Sequence, residues 1–221
     1  MPRPSERSSY PHIAALACLG VTAPAAAQLA PGISGSSSVE YMNSAETWRV
    51  VRGFGACFAK ENPRAGFALI ATEPDTKEEA QVFKKLVGGP NQACLTDTSL
   101  RLPVAFFRGS IAEALYKKGT PVPAELIQTP PASGAAVRTL GQAALCFVAA
   151  HRAEASGLLI QTLPGSKKEL AALQAMSEGF FQCLPVLARN RGFNATQIRY
   201  RLAEALLRTP VQSPRPGEPT P

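Results

Sequence analysis

Leu69-Ile70-Ala71-Thr72-Glu73-Pro74-Asp75-Thr76-Lys77-Glu78-Glu79 returns 90 positions later as Leu159-Ile160-Gln161-Thr162-Leu163-Pro164-Gly165-Ser166-Lys167-Lys168-Glu169. Each copy ends in a capping box. The hydroxyl of Thr76 or Ser166 takes a free backbone N–H at a helix start, and the carboxylate of Glu79 or Glu169 reaches back to another. A proline two positions ahead of each hydroxyl closes the preceding segment. Two helices therefore begin at matching places. Their apolar faces are Ala80, Phe83, Leu86 and Val87 in one, and Leu170, Leu173, Met176 and Phe180 in the other.

Outward from this stretch the correspondence continues in blocks. At a shift of 89, Ser44, Arg49, Cys57 and Cys94 meet Ser133, Arg138, Cys146 and Cys183; at 91, Ala112-Glu113-Ala114-Leu115 meets Ala203-Glu204-Ala205-Leu206. Shifts that differ by one or two residues are what a duplicated unit with small loop insertions leaves. The first helix of unit one is capped by Ser44 and carries Trp48, Val51, Gly55 and Phe58 at helical spacing; its counterpart starts at Ser133 and runs through Val137, Leu140, Ala144, Leu145 and Val148. Pro63 suits the first position of a short second helix through Phe67 and Ile70. The last helices carry Phe106, Phe107, Ile111 and Leu115, and Ile198, Leu202, Ala205 and Leu206, with Pro103 and Asn194 at their starts and Gln197 completing a weaker box. The expected fold is all-α, built from two tandem homologous helical units at 44–119 and 133–209. They are joined by a Pro-rich linker at 120–132 and packed together through Trp48, Phe83, Phe106, Phe107 and Leu173.

The ends read differently. Arg3 and Arg7 precede an apolar run from Ile13 to Val21 and the small residues Ala25 and Ala27, the pattern of a secretory signal over 1–27 with cleavage before Gln28. The run is too short to span a membrane, which needs about 20 apolar residues, and no later segment is longer. Residues 28–43 form a leader, and 210–221 a tail with five prolines, that bury too little apolar surface to repay ordering. The expected location is periplasmic or secreted.

The mature chain would hold four cysteines, two per unit and 37 residues apart in each. In an oxidising compartment this argues for disulfides, and a unit that duplicated with its own bridge would keep it. The expected pairs are Cys57 with Cys94 and Cys146 with Cys183, each adding about 3–4 kcal/mol in the chain-entropy model.

Catalytic and cofactor signals are sparse. His151 is the one mature histidine, and its counterpart is Asn62, so two-histidine metal sites are excluded by count. No two cysteines have zinc-ligand spacing. Neither GxGxxG, GxxxxGK[ST] nor GxSxG occurs. Glu113 and Glu204 are the repeated carboxylates, and their place in Ala-Glu-Ala-Leu reads as exposed and structural. No catalytic, cofactor-binding or metal residue is assigned. The charge is more informative. The chain carries 23 Lys and Arg against 16 Asp and Glu, and the portion from Gln28 onward 21 against 15, a formal +6. Arg189, Arg191, Arg199, Arg201 and Arg208 crowd the end of unit two, matched by Arg101, Arg108, Lys117 and Lys118 in unit one. Such a basic face suits an anionic partner outside the cytoplasm rather than nucleic acid.

The early Ser and Trp, the Leu-Ile-Ala-Thr-Glu-Pro run with Thr-Lys-Glu-Glu, a Cys and the closing Ala-Glu-Ala-Leu-Tyr resemble a group of secreted bacterial helical-duplication proteins of unassigned function. The likeness covers both units, departing at Val137 and Leu207, and implies no site residue. The expected function is an exported binding or scaffold module of the cell envelope, with an envelope protein or anionic envelope component as partner. The alternative is a thiol- or carboxylate-dependent enzyme with a cleft between the units.

Overall fold

The computed structural model describes residues 45–88, 94, 103–131, 137–184 and 194–209. Among them are eight α-helices: α1 (Ala45–Glu61), α2 (Pro63–Ala71), α3 (Lys77–Val87), α4 (Val104–Lys118), α5 (Leu140–Ala150), α6 (Arg152–Gln161), α7 (Lys167–Gln182) and α8 (Ala195–Arg208). The protein is all-α, and α1–α4 correspond in order to α5–α8. A disulfide closes each repeat, Cys57 to Cys94 and Cys146 to Cys183, with Cα–Cα distances of 5.5 and 5.8 Å.

Local chemistry sets the helix starts. Asn62 Oδ1 accepts the Ala65 N–H at 3.1 Å and Pro63 takes the first position of α2, which is helix and not strand. Thr76 and Ser166 accept the N–H of Glu79 and Glu169, each at 3.1 Å. The start expected at Ser133 is corrected. Ser44, Ser133 and the leader lie outside the described residues, and α5 opens at Leu140, because Thr139 and Gln142 make a full capping box there. Asn194 caps α8 by accepting from Thr196 N–H at 2.8 Å.

α4 and α8 pack against each other at the centre, α1 flanks α4 and α5 flanks α8, while α2 and α6 cover the same central pair. One apolar core runs through both repeats, from Phe58, Ile70, Ile111 and Leu115 to Phe147, Leu158, Leu202 and Leu206. The central contact depends on an inequality. Gly109 and Tyr200 occupy equivalent positions, and a Cβ on Gly109 would lie 2.0 Å from Tyr200 Cγ, so the tyrosine ring fills the place of the missing side chain. Trp48, Val51, Phe106 and Tyr200 form a second apolar cluster beside this contact, and Trp48 reaches the turn at Gly165 of the other repeat. Trp48 and Phe106 thus bridge the repeats as expected. Phe107, in contrast, packs with Phe54 and Phe83 of its own repeat, with ring centroids 4.7 and 5.2 Å apart. The linker is pinned: Leu126 is buried in a 3-10 turn at Ala124–Leu126, and Gln128 N–H donates to Arg208 carbonyl at 2.8 Å.

Candidate functional site

Two arginines stand at the middle of this packing. Arg108 on α4 and Arg199 on α8 are equivalent residues, and both are 0 % exposed. A buried guanidinium must have its charge and its N–H groups met within the protein. The repeated turns between α2 and α3 and between α6 and α7 supply part of this. Asp75 (φ 62°) and Gly165 (φ 76°) both adopt the left-handed conformation there. Their N–H groups donate to Oε2 of Glu79 and Glu169, at 2.8 and 2.6 Å. The carboxylates therefore reach back to the residue before the cap, not to the cap itself, which leaves Oε1 of each facing an arginine. Arg108 Nη1 meets Glu79 Oε1 at 3.2 Å and Arg199 Nη1 meets Glu169 Oε1 at 3.1 Å. Each arginine also donates to its repeat's threonine, Arg108 to Thr72 Oγ1 at 3.0 Å and Arg199 to Thr162 Oγ1 at 2.8 Å. Carbonyls at the end of α2 or α6 take further bonds, Ile70 from Arg108 at 2.8 Å and Leu159 from Arg199 at 3.2 Å.

The remaining partner comes from the other repeat. Arg199 grips Glu113 of α4 with two parallel bonds, Nη2 to Oε1 at 2.7 Å and Nε to Oε2 at 2.8 Å. Arg108 Nη2 lies 3.0 Å from Glu204 Oε2 of α8. Each repeat thus holds the glutamate of the other, the reciprocal arrangement of a two-fold interface placed within one chain. Glu113 and Glu204 are 5 % and 6 % exposed, which corrects their reading as solvated carboxylates. Burial pushes the Glu113 carboxyl up, but the bonds and charges of Arg199 and Lys117 outweigh it and hold it below the usual carboxylate range. Lys117 Nζ reaches Oε1 at 2.6 Å. For Glu169 the balance goes the other way. Burial pushes its carboxyl up, and Arg199, whose Nε and Nη2 are engaged by Glu113, does not fully offset this.

These contacts place the basic residues singled out in the sequence. Arg199 and Arg108 are internal and belong to no solvated face. Arg201 and Arg208, with side chains 16 % and 15 % exposed, turn towards Glu204 at 3.2 and 4.0 Å. Arg208 also donates to the Ile70 carbonyl. Burial pushes its guanidinium down. Arg189, Arg191 and Arg101 lie outside the described residues. The expected face at the end of unit two is thus, for its described members, largely an internal brace. The sequence carried a signal for it: Arg108 and Arg199 share the shift of 91 with Glu113 and Glu204, and charged residues matched in both copies on a helix that also carries core positions mark a shared buried contact.

Exposed cations gather elsewhere, along α1 and the end of α4. Arg49, Arg52, Lys117 and Lys118 border an open groove of about 560 Å3 whose floor is Gly53, Ala56, Ala59, Ser110 and Ala114. The two helices touch closely within their length, where a Cβ on Gly55 would lie 2.4 Å from the Ser110 carbonyl oxygen. Lys118 Nζ donates to the Ala59 carbonyl at 2.9 Å, tying the helices together. Glu113 lies in the groove with both oxygens already engaged.

The other chemical candidates are occupied. All four cysteines at 57, 94, 146 and 183 are in disulfides, so none of them is a thiol nucleophile. His151 stands between α5 and α6, stacked on Phe147 at 4.8 Å and paired through Nδ1 with Glu154 at 3.1 Å, as Asn62 stands between α1 and α2. Among the described residues no three His, Cys, Asp or Glu side chains converge as metal ligands, and no single helix is long and apolar enough to cross a membrane.

Fold and site together define an all-α tandem duplication, closed by one disulfide per repeat and by reciprocal buried arginine–glutamate pairs. Compared with known proteins, the chain matches no protein family, no curated protein and no solved structure.

Proposed function

We propose that the protein is an exported helical binding module of the cell envelope with an anionic partner. The observation that carries this reading is the grouping of Arg49, Arg52 and Lys118 at the surface of the first repeat, beside a Glu113 that Arg199 and Lys117 already hold. The two disulfides are consistent with an oxidising compartment, and the signal-like segment at 1–27 supports export. The carboxylate enzyme is disfavoured because Glu113 and Glu204 are each held between cations and buried, with no oxygen spare for proton transfer to a substrate. The test is co-sedimentation of the chain from Gln28 onward with vesicles containing anionic phospholipid, against neutral vesicles, at about 50 mM and about 500 mM salt. Retention by anionic vesicles that is lost at the higher salt is the expected result. Equal retention by neutral vesicles, or none by either, overturns the reading.

A further inference from the structure

The two repeats differ most usefully where the groove lies. In the first repeat the groove floor carries Gly53, Ala56 and Ser110; the equivalent positions of the second hold Gln142, Leu145 and Arg201. Leu145 is buried at 9 % exposure and Arg201 is turned in on Glu204 at 3.2 Å, whereas Ala56 is exposed. The cations diverge in the same sense. Arg52 and Lys118 answer to Gly141 and Thr209, and Lys117 to Arg208, which is drawn inward to Ile70. One helix pair thus exists twice, with larger side chains at these positions in one copy and, in the other, a groove bordered by Arg49, Arg52, Lys117 and Lys118, of which Lys117 is paired with Glu113. The two helix pairs also differ in spacing: Gly55 meets the Ser110 carbonyl where the second repeat has Ala144, so the small residues of the first pair serve its close packing as well as lining the groove.

We propose that the groove between α1 and α4 is a binding site for a phosphate ester. The volume, about 560 Å3, is that of a small-ligand site. Arginine forks match the paired oxygens of a phosphate, and Arg52 borders the groove on α1 with Lys118 on α4. Glu113 does not repel the anion, since Arg199 and Lys117 hold it at 2.7 and 2.6 Å. The floor of glycine and alanine leaves room for a body of about the size of glycerol or a sugar beside the phosphate. This inference rests on the binding-module reading and names the ligand chemistry of that same surface. The phosphate belongs to either a free ester or a phospholipid headgroup.

The test uses the chain from Gln28 onward and calorimetric titration with glycerol 3-phosphate, glycerol as the uncharged control, and vesicles containing phosphatidic acid. The informative variant places the second repeat's residues in the groove, Gly53→Gln with Ala56→Leu. Nothing lies within 4 Å of a Cβ at Gly53, and Ala56 is exposed, so the variant should melt no lower than the parent. The parent should bind one equivalent of ester, or the vesicles, and the filled variant at least tenfold more weakly; Arg52→Ala should lose about tenfold. Binding of the soluble ester assigns the site to free esters, and binding of vesicles alone, lost in the filled variant, to a headgroup. If the filled variant binds vesicles as well as the parent does, the groove assignment falls while the binding module stands. If the parent binds neither probe, both fall.

Discussion

Replacing Arg199 with methionine should destabilise the whole protein, and not one repeat alone. The side chain is fully buried and holds Glu113 by two bonds, Glu169 by one, and the hydroxyl and carbonyl of Thr162 by one each. Methionine fills much of the volume, so the change is chiefly one of charge. It leaves Glu169 buried with the Gly165 amide, and Glu113 with Lys117. Removing one partner of a buried pair destabilises by about 3–5 kcal/mol. The surviving partners of Glu113 and Glu169 place the loss near the lower end of that range. At about 2–4 °C per kcal/mol for a chain of this size, the melting temperature should fall by roughly 6–12 °C. Against a total stability of about 5–15 kcal/mol the variant still folds. The assay is urea unfolding followed by far-ultraviolet circular dichroism and by fluorescence of Trp48, the one tryptophan, which sits against Tyr200 and Gly165 of the other repeat. Both probes should shift together. Converting Glu113 and Glu169 to leucine and methionine in the same chain should restore much of the loss, since apolar replacement of a whole buried network is often near neutral. A loss below about 1 kcal/mol, or a fluorescence transition that separates from a second unshifted one, would refute the cross-brace.

Three further perturbations probe the same architecture. Gly109→Ala should cost about 1–3 kcal/mol through the clash with Tyr200, despite the better helix propensity of alanine, and Tyr200→Ala should cost less in that background than in the parent, as a double-mutant cycle would show. The acid limb should respond to the two glutamates with opposite signs. Glu113, held low in the folded state, contributes stability above the ordinary carboxylate range that is lost as pH falls through its lowered value; Glu169, pushed up by burial, favours the fold below the ordinary value and loses that contribution as pH rises through its raised one. Melting temperature against pH should therefore flatten on the acid side in Glu113→Gln and steepen in Glu169→Gln; parallel changes would contradict the assignment. Cys57→Ser should remove about 3–4 kcal/mol and leave a single transition, because the core is continuous; a surviving second-repeat transition at the parental midpoint would show independent units.

What could be read from the sequence was local. The capping hydroxyls of Thr76 and Ser166, Pro63, and the equal spacing of the cysteine pairs act over a few residues or repeat at a fixed interval, and these reappear in the structure, whereas the cap expected at Ser133 is replaced by Thr139. The brace could not be read in the same way. An arginine near a helix end is ordinarily solvated, and nothing within Phe107-Arg108-Gly109 or Ile198-Arg199-Tyr200 says that two helices distant in sequence close over it. The decisive contacts span 86 residues, from Arg199 to Glu113. The same holds for the carboxylates: Glu79 and Glu169 look like ordinary cap residues until an arginine meets the oxygen that the cap does not use. The groove was hidden for the opposite reason, because small residues on a helix carry little periodic signal. Its meaning lies in the comparison of Ala56 with Leu145 and of Ser110 with Arg201.

That comparison also explains why a duplicated protein retains so much asymmetry around a reciprocal core. The arginine, threonine and glutamate network is present in both copies, and either arginine without its cross-repeat partner would keep only its own repeat's glutamate against a buried charge in a continuous core. Positions on the central contact had to diverge instead. Two tyrosines cannot occupy the space where Tyr200 meets Gly109, and two glycines there would leave a hole the size of an aromatic ring, so one repeat is shaped to receive the other and not a copy of itself. Once the repeats were no longer interchangeable, the two α1/α4-type grooves were free to differ. The second was closed by Leu145 and Arg201, which adds packing next to α8. The first has a floor of small residues, with Gly55 close against Ser110, Lys117 paired with Glu113 and Lys118 tied to the Ala59 carbonyl. The groove of the first repeat is therefore where the proposed anionic ligand is to be tested.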